Sequence, residues 1–439
     1  MPKPDKRQMM QYETTIKYEP NRQAALDVLA AIDPLQYSRS RNFLDGAVTG
    51  LSPWITHGYI NVREATQVLM KKHRLSFEDK LIFEFAWREF FKHAHGELGI
   101  GILSDVRRPV WSGRYNHQLP DDIQEGRTGV EAIDAGVALL YKTGYLHNHV
   151  RMWIASYVVH MRKVHWKVGA DWMYAHLLDG DLASNHLSWQ WVAGTFSHKP
   201  YVFNADNVKK FAPKWDCRGT VIDSDYEDLE SIARAKRDTG RERNAPSVGV
   251  AEPSTYGFDL ESLGESSRRK IVDLRDTAGV DSSCLLVKQF REIELVHPWD
   301  LKTCFQPTTQ GLLRLGVIDC AFHKAHKWSE LRWNFVMAAL EKGCEQIWIV
   351  NTDHLAHNAA ILAKFKQCNV QLSMRTTLNP GYSAMWRCFP LQWTPEEKLL
   401  PNPARFQQSF SRFYKEATQI AGSLEEAVHD EALVHQLPL

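Results

Sequence analysis

The chain has 439 residues, of which 44% are hydrophobic and 24% are charged, and its formal net charge is +1. This length favours two or three domains, the composition excludes an extensively disordered or fibrous protein, and the charge balance excludes a globally polybasic nucleic-acid binder. Tryptophan is over-used. Nine of the 15 tryptophans lie in the first half of the chain, at Trp54, Trp87, Trp111, Trp153, Trp166, Trp172, Trp189, Trp191 and Trp215.

Neither the cysteines nor the termini indicate an exported or metal-binding protein. The seven cysteines are widely spaced, with no Cys-x-x-Cys pair and no histidine at zinc spacing, so we expect reduced thiols and no metal. No signal peptide and no apolar run of about 18 residues is evident. We therefore predict a cytoplasmic monomer without a membrane partner.

Hydrophobic periodicity divides the chain into a helical part and an α/β part. Apolar spacings of three and four residues predict helices within 61–73, 77–95, 130–143, 148–166 and 169–186. The charge-dense stretch 223–270 suits a linker or peripheral helices. Beyond it, predicted strands (293–297, 313–319, 346–350 and 370–374) alternate with predicted helices (329–341 and 354–366). We predict an all-α domain in 1–222 and a smaller α/β, Rossmann-like domain of unassigned role in 271–439.

The first segment with chemical potential is 37–63. Thr49, Gly50 and Ser52 precede Pro53 where a helix is predicted to begin. Backbone N–H groups at such a start suit phosphate oxygens, although the pattern alone is weak.

The second segment is FEFAWREFFKHAHG, residues 83–96. At helical pitch Glu84, Trp87, Arg88 and Phe91 share one face. Two interpretations stay open here. The residues form either a surface salt bridge beside core aromatics or a stacking platform with polar groups for the edges of a flat ligand.

The third segment, TGYLHNHVRMWIAS at 143–156, places Asn148, Arg151 and Met152 on one helix face. An amide, a fixed cation and a soft apolar contact then point the same way. A helix with solvated polar residues is an equally good interpretation.

The fourth segment, LLDGDLASNHLSWQW at 177–191, contains a turn with two carboxylates, Asp179 and Asp181, before a predicted helix. Two carboxylates beside an arginine are suited to a buried cofactor pocket, while one of them is expected to cap the helix. Trp189 and Trp191 point to different faces of that helix, and packing alone would also explain them.

These segments, together with EGRTGVEAIDAG at 125–136, resemble in order and spacing the FAD-binding catalytic domain of the photolyase/cryptochrome family. The resemblance covers residues 37–211. It implies FAD as cofactor, UV-damaged DNA as partner and light-driven splitting of cyclobutane pyrimidine dimers after base flipping. No antenna chromophore is assigned, because the family's usual N-terminal α/β antenna domain is not recognised in this sequence.

The resemblance also implies individual roles. Cofactor contacts are expected at Tyr37, Thr49, Leu51, Ser52, Arg151, Asp179, Gly180, Asp181 and Asn185. Lesion or DNA contacts are expected at Arg41, Glu84, Trp87, Arg88, Asn148, Met152 and Trp191. An electron-transfer chain is expected at Trp189, Trp166 and Trp111.

The residue types at three positions of these motifs favour the subclass that repairs cyclobutane pyrimidine dimers. Asn148 and Met152 stand where (6-4) photolyases carry histidines, and Asn185 stands where plant cryptochromes carry an aspartate. Two departures are His149 in place of the usual arginine and HLS at 186–188 in place of Asn-Gly-Gly. The alternatives are a cryptochrome-like FAD photoreceptor, a (6-4) or single-strand-preferring photolyase, and a nucleic-acid-binding module without flavin.

Overall fold

The computed structural model shows two compact units, each assembled from separate stretches of chain. It describes residues 16–109, 113–236, 238–258, 265–275, 277–354, 363, 366–385, 389 and 391–430. The first unit contains the N-terminal residues up to Lys17, Asp33–Val48 and Ile100–Ser254, and the second contains Tyr18–Ile32, Thr49–Gly99 and Thr255–Leu439.

The described helices and strands of the first unit are all helices, joined by turns and irregular segments. Its α-helices are Pro34–Ser40, Asp121–Gln124, Glu131–Thr143, Asn148–Ser156, Trp166–His176, Leu182–Ala193, Ala205–Phe211 and Tyr226–Arg234. Side-chain caps set several starts. Asp33 accepts from the Leu35 and Gln36 amides, and Asn204 accepts from the Asn207 amide. Gly144 (φ +64°) ends one helix in the left-handed conformation that glycine tolerates.

The core of this unit is rich in aromatic and aliphatic side chains. Trp153 and Trp215 are both buried in it, with ring centroids 6.4 Å apart. Arg162 forms a two-point ion pair with Asp122 at 2.7 and 3.2 Å, so this buried guanidinium is compensated.

Two predicted helices are interrupted. The helix predicted over 148–166 ends at Ser156 and continues as a π-helical turn, Tyr157–Met161. The helix predicted over 169–186 breaks between His176 and Leu182. Apolar spacing continues through both breaks, so periodicity alone does not detect them.

The second unit contains both helices and strands. Its described α-helices are Arg22–Ala30, Ser52–Thr56, Val62–Met70, Lys80–Leu98, Glu265–Lys270, Thr277–Val287, Cys320–Ala325, Glu330–Gly343, Phe410–Ala421 and Leu424–His429. Its strands are β1 (Thr255–Tyr256), β2 (Ile271–Asp273), β3 (Glu292–Val296), β4 (Leu312–Asp319), β5 (Trp328–Ser329), β6 (Gln346–Val350), β7 (Gln371–Arg375) and β8 (Leu391–Thr394).

Six of these strands form one parallel sheet in the order β2-β6-β4-β3-β7-β8. In the pairing of β4 with β3, Leu313 lies opposite Ile293, and in its pairing with β6, Gly316 lies opposite Ile347. Strand β4 is buried along nearly its whole length, as a central strand covered on both faces should be. The parallel sheet predicted from the alternating pattern is therefore confirmed, whereas β2 and β8 were not predicted.

The stretch 223–270 contains helix Tyr226–Arg234, strand β1 and helix Glu265–Lys270. The two compact units do not follow the predicted boundaries at 222 and 270, because residues 18–32 and 49–99 belong to the unit that contains the sheet. The domain organisation 1–222, 223–270 and 271–439 stays a prediction. Within the described ranges, no helix combines the length and apolarity that crossing a bilayer requires.

Candidate functional site

Arg151 and Asp179 form an ion pair in the first unit. The Arg151 Nη2 atom donates to Asp179 Oδ2 at 2.7 Å, and its Nε donates to the Leu146 carbonyl at 2.9 Å. The side chain of Asp179 is 4% exposed and that of Arg151 is 24% exposed. The guanidinium is thus fixed in two directions while part of its surface stays accessible.

Asp179 lies in the loop between the helices Trp166–His176 and Leu182–Ala193, and this loop sets its position. The Leu178 amide donates to the Gly144 carbonyl at 2.8 Å, which ties this loop to the end of the helix before Arg151. A Cβ added at Gly144 would meet Leu178 at 2.7 Å, so only glycine allows this approach. Tyr145 also contacts Arg151, with the guanidinium 5.6 Å from the ring centroid. Sequence reasoning missed Tyr145, although it lies inside the TGYLHNH motif.

Asp181 and Asn185 follow on the next helix. The Asp181 carboxylate caps this helix by accepting from the Ser184 amide at 2.7 Å, as the sequence predicted for one of the two aspartates. Asn185 is half-buried, and its Nδ2 donates to the Ala170 carbonyl at 2.8 Å. That contact orients the amide and leaves its carbonyl oxygen as an acceptor.

Trp189 and Trp166, two members of the predicted electron-transfer chain, are both buried in the first unit. Gly169 makes room for the indole of Trp189, because a Cβ there would lie 2.3 Å from Trp189 Cζ3. Trp166 Nε1 donates to Asp105 Oδ1 at 2.6 Å. The third predicted member, Trp111, lies outside the described residues.

His186, one of the departures from the family motif, sits buried beside Trp166 with ring centroids 6.3 Å apart. Its Nδ1 faces the Leu182 carbonyl and its Nε2 faces Asp171 Oδ1, each at 2.9 Å. Both neighbours are hydrogen-bond acceptors. Burial acts to raise the pKa of Asp171, but hydrogen bonds from His186 and Lys167 outweigh it and lower the pKa.

Of the lesion-facing and DNA-facing residues predicted in the first unit, Asn148 and Trp191 are exposed, and Arg41 and Met152 are half-buried. Asn148 is exposed and its Nδ2 lies 3.4 Å from Met152 Sδ. Trp191 is 39% exposed. The Nε2 atom of His147, next to Asn148, lies 2.9 Å from the Arg41 carbonyl, so the segments of Asn148 and Arg41 are joined.

His149 does not replace the charge of the arginine it stands for. Burial lowers the pKa of His149 to about 4, and the neighbouring His147 and Arg41 act in the same direction. Its ring packs on Phe211 with centroids 4.6 Å apart. At neutral pH it is therefore an uncharged packing residue.

The helix Lys80–Leu98 of the second unit carries the other predicted lesion-facing residues. Lys80 Nζ lies 2.8 Å from Glu84 Oε1, and this pair is about 30% exposed. The indole of Trp87 stacks on Phe410. Arg88 donates from Nη2 to Thr56 Oγ1 at 3.0 Å. The side chains of Glu84, Trp87 and Arg88 therefore all contact other residues of the second unit.

The remaining predicted cofactor contacts are Tyr37 in the first unit and Thr49, Leu51 and Ser52 in the second. Leu51 is buried and precedes a five-residue helix that has no side-chain cap. Tyr37 is half-buried in the helix Pro34–Ser40. The predicted site residues thus fall in both compact units, and within the first unit the structure brings Arg151, Asp179 and their loop together.

Residues 81–266 match the FAD binding domain of DNA photolyase. A deoxyribodipyrimidine photo-lyase of Synechococcus sp. is 32% identical over 194 residues, which are 40% of this chain and 39% of the relative. Another from Agrobacterium fabrum is 30% identical over 254 residues, 52% of this chain and 53% of the relative. A cryptochrome DASH of Oryza sativa subsp. japonica is 29% identical over 209 residues, which are 46% of this chain and 36% of the relative.

The matched residues, which are less than half of the chain, are similar to a domain that binds FAD. Over this stretch the chain is similar to members of the photolyase/cryptochrome family. The chain spans between 36% and 53% of the length of these three relatives.

The residues of the first unit fit this cofactor chemically. Arg151 offers a partly exposed cation held in place by Asp179. Asn185 and Asp181 offer oxygens on the adjoining helix start, which are the acceptors that hydroxyl groups of a ribityl chain would use. This set, a fixed cation and several hydrogen-bond acceptors, is chemically suited to FAD.

Proposed function

We propose that this chain is a light-driven DNA repair enzyme that splits cyclobutane pyrimidine dimers. The observation that carries the proposal is the Arg151–Asp179 ion pair, whose carboxylate is buried and whose guanidinium is partly open. A cation fixed in this way favours negative charge on a neighbouring group without needing to reorganise. FAD, when reduced and excited by blue light, supplies the electron that splits the dimer.

The chain's own residues bind and hold the lesion in this proposal. Exposed Asn148 and Trp191 and the thioether of Met152 offer an amide, an indole and a soft contact to a flipped base. Stacking contributes about 1–3 kcal/mol per base. This offsets much of the few kcal/mol that unstacking a base costs.

On the second unit, the proposal assigns lesion contacts to Glu84 and Trp87. The Glu84 carboxylate would accept a hydrogen bond from the dimer. Its ion pair with Lys80 is partly exposed, so water can replace Lys80 when the lesion binds. Arg41 and Arg88 would contact backbone phosphates, so affinity for DNA should fall steeply with salt.

The test uses FAD-loaded, photoreduced protein and oligonucleotides that carry one defined lesion. We expect blue light to split cyclobutane dimers in the presence of the protein, with no turnover in the dark. Duplex and single-stranded substrates and a (6-4) product are run in parallel, and they determine the preferred substrate. Dimers that stay intact under blue light with reduced FAD bound would overturn the proposal.

A second candidate is a cryptochrome-like photoreceptor. Its supporting observation is that Phe410 covers one face of Trp87, a residue that the repair reaction would use for stacking. For this candidate, illumination changes the binding of a partner while lesions remain intact. The same illuminated sample, assayed for both repair and partner binding, separates the two.

A further inference from the structure

The second unit has a cavity at the carboxyl ends of three neighbouring strands, β2, β6 and β4. Its volume is about 360 Å³. Arg275 follows β2, Cys320 follows β4 and Asn351 follows β6, and all three line it. In open parallel sheets, ligands bind outside the carboxyl ends of the strands. The volume lies within the range of small-molecule sites.

Among the described residues that line this cavity, the cations are Arg275, Lys324 and Lys327 and the carboxylate is Asp353. Arg275 is already paired with Asp273, so the excess of positive charge comes from the two lysines. Within the described part of the chain, no carboxylate pairs with Lys324 or Lys327. The lining therefore favours an anion.

Arg275 is held in position by its neighbours. Its Nε donates to Asp273 Oδ1 at 2.8 Å and its Nη2 to Asp273 Oδ2 at 2.6 Å. Its Nη1 lies 3.6 Å from Cys320 Sγ, a weak acceptor. The two-point contact with Asp273 uses the Nε and Nη2 edge and fixes the plane of the guanidinium, so the position of this cation at the cavity is set.

The lining of the cavity includes an aromatic side chain. Phe258 lines the cavity and packs edge-to-face on Trp333, with centroids 5.2 Å apart and planes at 68°. Trp333 is buried and its Nε1 donates to the Tyr256 carbonyl at 3.2 Å. Phe258 is thus supported from behind, and a planar ring is the ligand group that an aromatic wall prefers.

We propose that this cavity binds a nucleoside monophosphate, with its phosphate at Arg275, Lys324 and Lys327 and its base against Phe258. Neither the FAD residues of the first unit nor the predicted lesion contacts line this cavity. The site is therefore additional to the proposed repair function and does not depend on it.

The experiment is calorimetric titration of the full, FAD-loaded chain with AMP, adenosine and inorganic phosphate. We expect AMP to bind more tightly than either part alone. Lys324→Gln should weaken AMP binding about tenfold, as the loss of a charged hydrogen bond does. Phe258→Ala should weaken AMP but leave the affinity for inorganic phosphate unchanged. Lys288→Gln removes the same charge from an exposed position before β3, away from the cavity, and should change neither.

Three results would overturn the proposal. The first is no heat of binding with AMP at millimolar concentration. The second is an equal loss of affinity in the Lys324→Gln and Lys288→Gln variants, which would indicate a general charge effect. The third is displacement of AMP by an oligonucleotide without terminal phosphates, together with no effect of Phe258→Ala. That result would assign the cations to a nucleic-acid backbone.

Discussion

The indole of Trp87 lies parallel to the ring of Phe410, with centroids 3.9 Å apart and planes 7° apart. Phe410 begins the helix Phe410–Ala421, which packs on the helix that carries Trp87. Trp191 has a different environment, since it is 39% exposed and packs, among the described residues, beside Tyr201 with centroids 5.8 Å apart. The two indoles predicted for one role therefore differ in how far the fold depends on them.

Trp87→Ala should lower the free energy of unfolding by about 3 kcal/mol, because it removes a packed aromatic pair and leaves a cavity. Trp191→Ala should lower it by less than about 1 kcal/mol, since much of that ring already contacts water. Urea unfolding of both variants, followed by circular dichroism, measures the difference. Equal losses would contradict the packing described for Trp87.

Glu84→Ala should reduce lesion repair about tenfold while leaving the stability nearly unchanged. The Lys80–Glu84 pair is partly exposed, and such pairs contribute about 0–1 kcal/mol. A charged hydrogen bond to the lesion contributes more. The matched control is Lys80→Ala, which breaks the same ion pair but keeps the carboxylate, and it should repair normally. If both variants lose repair equally, Glu84 acts only through its pair with Lys80.

Trp189→Phe should slow the photoreduction of oxidised FAD and leave repair by chemically reduced protein intact. The reason is that the side chain is buried in the first unit and assigned to electron transfer rather than to lesion binding. Trp215→Phe, an equally buried substitution in the same core, serves as the control. Flash photolysis measures the reduction rate. Equal slowing in both variants would remove the special role of Trp189.

Acid should destabilise the protein between about pH 6.5 and 4. Burial lowers the pKa of His160 and of His297, each to about 4. Their unfolded pKa is about 6.5. Within this window the unfolded chain therefore binds protons that the folded chain does not, so stability rises with pH, by about 1.4 kcal/mol per pH unit for each such group.

His160→Gln should remove one titrating group and so reduce the pH dependence of the unfolding free energy by about 1.4 kcal/mol per pH unit. The His160 Nε2 atom lies 2.9 Å from the Val192 carbonyl, a contact that a glutamine amide can donate to without titrating. Unfolding free energies measured at several pH values between 6.5 and 4 give the slope. An unaltered slope in His160→Gln would show that this residue is not the titrating group.

Much of the fold could be predicted because the apolar pattern of the sequence matches the burial of the same side chains in the structure. Strand β6, predicted at 346–350, has the bounds Gln346–Val350, since an apolar run buried on both faces needs no further information. Strand β2 has three residues, and only half-buried ones, so its pattern was too short to recognise. The break before Leu182 is set by the Leu178–Gly144 contact, which apolar spacing does not encode.

The candidate site could be predicted only where the residues carry a motif. The family motifs led to the Arg151–Asp179 pair. The surroundings of Trp87 and Arg88 could not be predicted, because Phe410 lies more than 300 positions further along the chain and Thr56 is 32 positions earlier. Sequence proximity gives no signal for either contact.

The second unit is built from three stretches separated along the chain, Tyr18–Ile32, Thr49–Gly99 and Thr255–Leu439. The Tyr59 hydroxyl, for example, donates to the Phe335 carbonyl, 276 positions later. During synthesis this contact forms only after the α/β sequence has left the ribosome, whereas the stretches of the first unit end at Ser254. The helix that carries Glu84 and Trp87 is therefore made early and packed late, and its apolar face must be kept from aggregating in the interval.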